Sequence, residues 1–210
     1  MIPVVFAHGL YMPGSELALL RRRLTHAGFA PRQFRYRTLV HDLDRSAERL
    51  AERVAAVPGE TVHLVGHSMG GVVIYKMLER HGAARIGRIV CLGTPFTGSV
   101  SAVNLLRLPG GKHLLGKAMA QANAEAPARR WDGRRELGII AGNHPHGLGR
   151  LVGPLPEPHD GTVTVAETQL PGATDHIVLE VTHLSMLWSR AVAEQVIAFL
   201  LDGRFDRHRS

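Results

Sequence analysis

A serine with a glycine two residues away on each side follows a short apolar run. The segment LVGHSMGGV contains the pattern G-x-S-x-G, with Ser68 between Gly66 and Gly70. Where this pattern joins a strand to a helix, the serine lies on a sharp, strained turn that exposes its hydroxyl. The preceding residues 61–66 have the character of a strand, and the following residues 68–81 have helical spacing. The pattern therefore predicts that Ser68 is a nucleophile.

A nucleophilic serine needs a base within hydrogen-bond reach and an acid that orients this base. In an open parallel sheet, sites lie beyond the carboxyl ends of the strands, and this rule selects among the 13 histidines. His183 follows the predicted strand 176–181 and precedes the last predicted helix, so we expect it to be the base. His176 begins the same strand and should lie at the opposite edge of the sheet.

The acid should follow the preceding strand, ELGIIAG, at the same edge of the sheet. Asp160 fits best, because Gly161 behind it allows a tight turn that can aim the carboxylate. Glu157 is the nearby alternative. Asp132 and Asp175 come before strands, which should place them at the wrong edge.

The negative charge that develops on the attacked carbonyl needs two backbone N–H groups to stabilise it. One should come from Met69, directly after the nucleophile. The other should come from the loop after the first strand, where His8-Gly9 lets the backbone pass close to the serine, so Leu10 is the expected donor. Tyr11 is expected to line the substrate pocket.

These groups must be positioned by strands that alternate with helices. The apolar runs predict strands at 2–7, 33–38, 61–66, 88–93, 136–142 and 176–181. Helical spacing of apolar residues predicts helices at 15–27, 43–57, 68–81 and 184–201. Short strands that alternate with amphipathic helices indicate an α/β fold, in which helices cover both faces of a parallel sheet of about six strands.

Two longer stretches interrupt this alternation, and the whole chain 1–210 is expected to form one domain. Residues 94–135 form an irregular, partly helical excursion flanking the site, and 143–160 form a long loop rich in glycine and proline. Apolar residues of the excursion, Leu105 and Leu106 among them, are expected either to form a wall for an acyl chain or to be the buried face of a helix.

The motifs resemble those of the α/β-hydrolase superfamily. The matching segments are FAHGLY (6–11), GHSMGG (66–71), LGTPFTGS (92–99), HDGTVTV (159–165) and VTHLSML (181–187), and they follow the superfamily's order of oxyanion loop, serine, acid and histidine. More narrowly, the chain resembles small bacterial lipases and esterases and the related group that includes GPI-inositol deacylases.

This resemblance implies a Ser-Asp-His triad, ester hydrolysis through an acyl-enzyme, and no cofactor. The first strand begins at Ile2, so the superfamily's first two strands are missing and a minimal fold without a large cap domain is expected. Short or medium acyl esters, small or lipid-derived, are the expected substrates. Thioesterase, amidase or acyltransferase chemistry uses the same triad and stays open, as does a non-catalytic binding protein on this fold.

The amino-acid composition argues against several other classes of protein. The formal charge of +7 comes from scattered basic residues without a long basic tail, which disfavours nucleic-acid binding but leaves weak attraction to an anionic membrane surface open. The single Cys91 excludes an internal disulfide and is expected to be buried in a strand. With no signal-peptide pattern and no run long enough to span a membrane, a cytoplasmic protein is expected. The oligomeric state does not follow from the sequence.

Two further patterns resemble ligand-binding motifs, but neither is expected to bind a ligand. The segment 111–118 nearly matches a phosphate-binding loop, but Ala118 replaces the Ser or Thr that would bind Mg²⁺, and a preceding strand is missing. His144, His146 and His159 lie in one loop region, but their spacing matches no established metal motif, so no metal site is expected.

Overall fold

The computed structural model describes residues 1–147 and 153–207. In this part of the chain, six strands form the sheet: β1 (Ile2–Ala7), β2 (Phe29–Phe34), β3 (Val62–His67), β4 (Ile86–Leu92), β5 (Leu137–Gly142) and β6 (Asp175–Leu179). Within the described residues, seven α-helices accompany them: α1 (Ala18–His26), α2 (Leu43–Ala55), α3 (Met69–His81), α4 (Val100–Leu106), α5 (Gly111–Glu125), α6 (Val165–Thr168) and α7 (Arg190–Asp202). Short 3₁₀ turns lie at Ser15–Leu17, Ala126–Ala128 and Ser185–Leu187.

The six strands form one parallel sheet in the order β2-β1-β3-β4-β5-β6. Side chains alternate between its faces, so Val5 packs on one side while Val4 and Phe6 pack on the other. Helices α2 and α3 cover the first face, and α1 and α7 cover the second. The predicted six-stranded parallel sheet with helices on both faces is therefore confirmed. Cys91 is buried in β4, as expected, and burial raises the pKa of its thiol to about 12.

Two element boundaries were predicted incorrectly. The second strand spans Phe29–Phe34 instead of 33–38, because the chain pairs with β1 directly after Gly28. The last helix begins at Arg190 instead of 184, because the Ser189 side chain caps its first turn by accepting a hydrogen bond from the Val192 N–H.

The excursion 94–135 contains α4, α5 and one 3₁₀ turn, and no separate cap domain occurs in the described part of the chain. Helix α5 is broken at Gly116, whose φ of 74° and ψ of 165° are not helical. Of the predicted loop 143–160, residues 148–152 lie outside the described residues. None of the helices within 1–147 and 153–207 combines the length and the apolar character needed to cross a bilayer.

Candidate active site

Ser68 occupies the turn between β3 and α3 in a strained backbone conformation. Its φ is 54° and its ψ is −125°, a region that non-glycine residues rarely adopt. The flanking glycines make this turn possible. A Cβ on Gly70 would lie 2.2 Å from the Ala7 carbonyl oxygen, and one on Gly66 would lie 2.6 Å from the Gly71 Cα. The chain is therefore shaped to present the serine side chain at the carboxyl end of β3.

The structure pairs Asp160 with His183. Asp160 Oδ2 lies 2.7 Å from His183 Nδ1, and both side chains are buried. The second carboxylate oxygen, Oδ1, accepts hydrogen bonds from the Thr162 and Val163 N–H groups at 2.9 Å and 2.7 Å. The His183 N–H donates to the Asp160 carbonyl at 2.8 Å, which ties the two loops together. These contacts fix the position of both side chains.

The carboxylate also sets the tautomer of His183. Because Asp160 only accepts, the ring proton lies on Nδ1, and Nε2 keeps the lone pair that a base requires. The imidazole and Ser68 line the same cavity. The alternative acid, Glu157, is instead exposed and lies 3.1 Å from His159 Nε2. Asp175 is the first residue of β6, at the amino end of the strand, and its carboxylate accepts a hydrogen bond from Arg207.

His67, next to the nucleophile, holds the loop that carries the base. It is fully buried, and its Nε2 lies 3.0 Å from the His183 carbonyl oxygen. Because a carbonyl oxygen only accepts, Nε2 must carry the proton, and Nδ1 has no hydrogen-bond partner within the described residues. Burial, with a smaller contribution from His183, holds the pKa of His67 well below its usual range. The ring is therefore a neutral donor beneath the base.

Gly93, at the end of β4, allows His183 and Asp160 to pack against the sheet. Its φ is +53°, and a Cβ there would lie 3.0 Å from His183 Nδ1 and 3.1 Å from Asp160 Oδ2. Thr94, the next residue, donates its hydroxyl to the Ser68 carbonyl at 3.0 Å. The turn after β4 thus supports both the nucleophile and the acid–base pair.

The two expected oxyanion donors, Leu10 and Met69, both line this cavity. Met69 is the first residue of α3, so its N–H has no acceptor within the helix and lies at the positive end of the helix dipole. The β1 loop passes close by: a Cβ on Gly9 would lie 3.1 Å from Ser68 Cβ. The Tyr36 hydroxyl donates to the His8 carbonyl at 2.7 Å and holds this loop in place.

The cavity that contains Ser68 and His183 has a volume of about 300 Å³ and mostly apolar walls. Tyr11 lines it, and its hydroxyl donates to the Leu114 carbonyl. Apolar side chains from several elements complete the walls, among them Met12, Leu105, Leu115, Met119 and Val163.

Of the two leucines predicted to bind substrate, only Leu105 lines the cavity. Leu106 is 42 % exposed and is not among the described lining residues. Consecutive side chains point about 100° apart around α4, so Leu105 faces the cavity while Leu106 faces outward. The placement of Leu106 in the pocket was therefore wrong.

Several residues of the site were missed by sequence reasoning. His67 was expected only to point away from the serine, and no signal indicated its bond to the base loop. His146 lines the cavity and stacks on His144 with ring centroids 4.6 Å apart. Its position after β5 could have indicated the pocket. Ser101 lines the cavity too and donates its hydroxyl to the Thr162 carbonyl, which joins α4 to the acid loop.

The segment 111–118 lies in α5 and is preceded by α4 rather than by a strand. Within residues 1–147 and 153–207, no three His, Cys, Asp or Glu side chains come close enough together to hold a metal ion.

Comparison with known proteins identifies the family and the fold. A family model described as "Alpha/beta hydrolase family" matches residues 4–203. Among solved structures, the mature form of the Bacillus licheniformis lipase BlEst2 superposes with a TM-score of 0.76 at 20% identity, covering 95% of this chain and 91% of the lipase.

Two esterase structures are also similar in fold. The metagenomic carboxyl esterase MGS0156 gives a TM-score of 0.69 at 21% identity, covering 88% of this chain and 65% of that one. The carboxylesterase CesB (YbfK) from Bacillus subtilis gives 0.58 at 15% identity, covering 96% and 84%. At these identities the likeness is one of fold. The narrower likeness to GPI-inositol deacylases stays a prediction.

Proposed function

This chain belongs to the alpha/beta hydrolase family, and from that membership and the site geometry we propose that it is a serine hydrolase that cleaves carboxylic esters. One observation carries the proposal. Ser68, on a strained turn, shares a cavity with His183, whose Nδ1 lies 2.7 Å from the buried carboxylate of Asp160. The lipase and carboxylesterase structures of the same fold support the choice of an ester substrate.

In the proposed reaction, Ser68 Oγ attacks the ester carbonyl carbon while His183 Nε2 takes the hydroxyl proton. Asp160 stabilises the imidazolium that forms, without itself taking a proton. The N–H groups of Leu10 and Met69 stabilise the negative oxygen of the tetrahedral intermediate. His183 then gives its proton to the leaving alcohol, and an acyl-enzyme remains on Ser68. Water, deprotonated by His183, releases the carboxylic acid and restores the serine hydroxyl.

The cavity supports a short or medium acyl chain. Its volume of about 300 Å³ lies at the lower end of the range for ligand pockets. The lining residues Leu105, Leu115 and Met119 offer apolar contacts to such a chain. We expect the rate on p-nitrophenyl esters to rise with chain length and then to fall once the acyl chain is too long for the cavity.

The nucleophile is tested with a fluorophosphonate probe and a Ser68→Ala variant. The wild type should be labelled and active, whereas a folded Ser68→Ala protein should show neither labelling nor activity above background. An active Ser68→Ala protein would refute the assignment. An unlabelled wild type would instead indicate a non-catalytic binding protein. Thioesterase and acyltransferase activity are distinguished by offering thioesters and by adding an alcohol acceptor, because these reactions share the acyl-enzyme.

A further inference from the structure

Several apolar side chains are exposed on segments next to the cavity. We call six of them the mouth patch, and each is 41–55 % exposed: Tyr11, Leu39, Val40, Leu106, Leu108 and Leu114. Exposed apolar residues scattered singly are ordinary, but a contiguous group marks an interaction surface.

The mouth patch lies on three segments: the first contains Tyr11, the second contains residues 37–40, and the third contains residues 106–117. Direct contacts join these segments. The Tyr11 hydroxyl donates to the Leu114 carbonyl, and the Tyr11 N–H donates to Thr38 Oγ1 at 3.3 Å. The break of α5 at Gly116 packs directly on the second segment, since a Cβ on Gly116 would lie 3.0 Å from the Leu39 Cα. Tyr11 also lines the cavity. The three segments thus form one surface that borders the entrance to Ser68.

Charge around the mouth patch has one sign from residue 94 to residue 124 of the excursion. Arg107, Lys112 and Lys117 are exposed within it, and no Asp or Glu occurs between Glu79 and Glu125. The second segment adds the exposed Arg37. Its nearest acid, Asp42, uses its carboxylate to cap α2. Within residues 1–147 and 153–207, none of these four basic side chains forms an ion pair, so the exposed apolar side chains stand among unpaired basic ones.

This combination favours one kind of occupant. In a symmetric contact between two copies, the same patch would meet itself, and its basic side chains would face each other. Leucines flanked by lysine and arginine instead match the surface of an anionic lipid bilayer, where apolar groups enter the interface and basic groups contact the headgroups.

We infer that the mouth patch docks the protein on the surface of anionic lipid aggregates, with the entrance of the cavity toward the lipid. The inference rests on the proposed function only in that docking would deliver a lipid ester to Ser68. Docking itself needs no catalysis and can be measured separately.

The test uses the Ser68→Ala protein, which cannot hydrolyse the probe, and vesicles of phosphatidylcholine with and without 30% phosphatidylglycerol. The full chain should sediment with the anionic vesicles, bind the neutral ones much more weakly, and dissociate as salt is raised. Lys112→Gln with Lys117→Gln should weaken binding about 25-fold, at about fivefold for each basic side chain. Leu108→Ser should weaken it further.

A matched control removes the same charge at the opposite edge of the sheet. Arg134 precedes β5 and Arg204 follows α7, and both are exposed. Arg134→Gln with Arg204→Gln should leave vesicle binding unchanged. Equal losses in both double variants, equal binding to neutral and anionic vesicles, no binding at all, or a dimer that the Leu108→Ser substitution dissolves would each overturn the inference.

Hydrolysis of soluble p-nitrophenyl butyrate separates this inference from the proposed function. With Ser68 intact, the lysine variants should retain wild-type rates on this soluble ester. Absence of vesicle binding in a protein with normal esterase activity refutes only the docking surface. Absence of esterase activity in a protein that binds vesicles refutes only the proposed function.

Discussion

Replacing Asp160 with asparagine should nearly abolish activity while leaving the fold intact, for a reason that the hydrogen bonds specify. Oδ1 accepts from the N–H groups of Thr162 and Val163, so the amide oxygen of an asparagine must take this position. The amide NH₂ then faces His183 Nδ1, where the carboxylate oxygen stood at 2.7 Å. A donor in this place forces the proton of His183 onto Nε2. The ring then no longer offers a lone pair to the serine hydroxyl.

The size of the effect follows from this change of tautomer. In the template of a Ser-His-Asp triad, the wrong tautomer with intact geometry lowers kcat about 10⁴-fold. This corresponds to about 5.5 kcal/mol of lost transition-state stabilisation. Because asparagine is nearly isosteric and keeps the two backbone hydrogen bonds, KM and the melting temperature should change little. The assay is steady-state hydrolysis of p-nitrophenyl butyrate, with circular dichroism to verify folding.

The matched control is Glu157→Gln, which changes the alternative acid in the same loop. Glu157 is exposed and approaches His159 rather than His183, so its substitution should change kcat less than twofold. Two results would refute the reasoning: a folded Asp160→Asn protein that retains more than a tenth of the activity, or a Glu157→Gln protein that loses it.

Three further predictions concern the surroundings of the triad. His67→Leu should lower kcat more than it changes KM, because the His183 carbonyl loses its hydrogen-bond donor. His67→Gln can still donate this hydrogen bond and should recover part of the lost kcat. Equal rates for the two variants would contradict a positioning role for His67. Because burial keeps His67 neutral in the folded protein, its imidazole binds a proton more readily in the unfolded chain below pH 6.5. This histidine by itself should therefore lower the free energy of unfolding by about 1.4 kcal/mol per pH unit as the pH drops below 6.5, and urea denaturation should show a smaller fall for His67→Gln. Leu105→Trp should shift the preference toward shorter acyl chains because the side chain fills the cavity, whereas Leu106→Trp, one residue further on, should leave the chain-length profile unchanged.

Much of the fold could be predicted because the elements carry strong local signals. The apolar run before Ser68 and the helical spacing after it define β3 and α3 almost to the residue. The second strand was less predictable. Phe29–Phe34 includes a proline and two polar residues on an edge strand, so its place depends on pairing with β1 rather than on its own pattern. Local propensity is weak evidence for an edge strand.

The candidate site was predictable to the extent that topology places it. In a parallel sheet, a residue that follows a strand lies at the carboxyl edge. This rule selected His183, and together with the G-x-S-x-G pattern and the turn at Gly161 it selected Ser68 and Asp160. It could not select Leu105 over Leu106, because that choice depends on how α4 is rotated about its axis. It also gave no sign that His67 reaches the carbonyl of a residue 116 positions away.

The sequence by itself determined the alternation of strands and helices, the strained serine turn and the order of the groups around it, because these depend on local spacing and on the need for glycine at crowded positions. Only the tertiary structure decided which carboxylate meets His183, which side chains enclose the cavity, and which exposed leucines share a surface with basic residues. These depend on contacts between segments far apart in the chain. Such contacts are set by packing around the sheet, which no local pattern records.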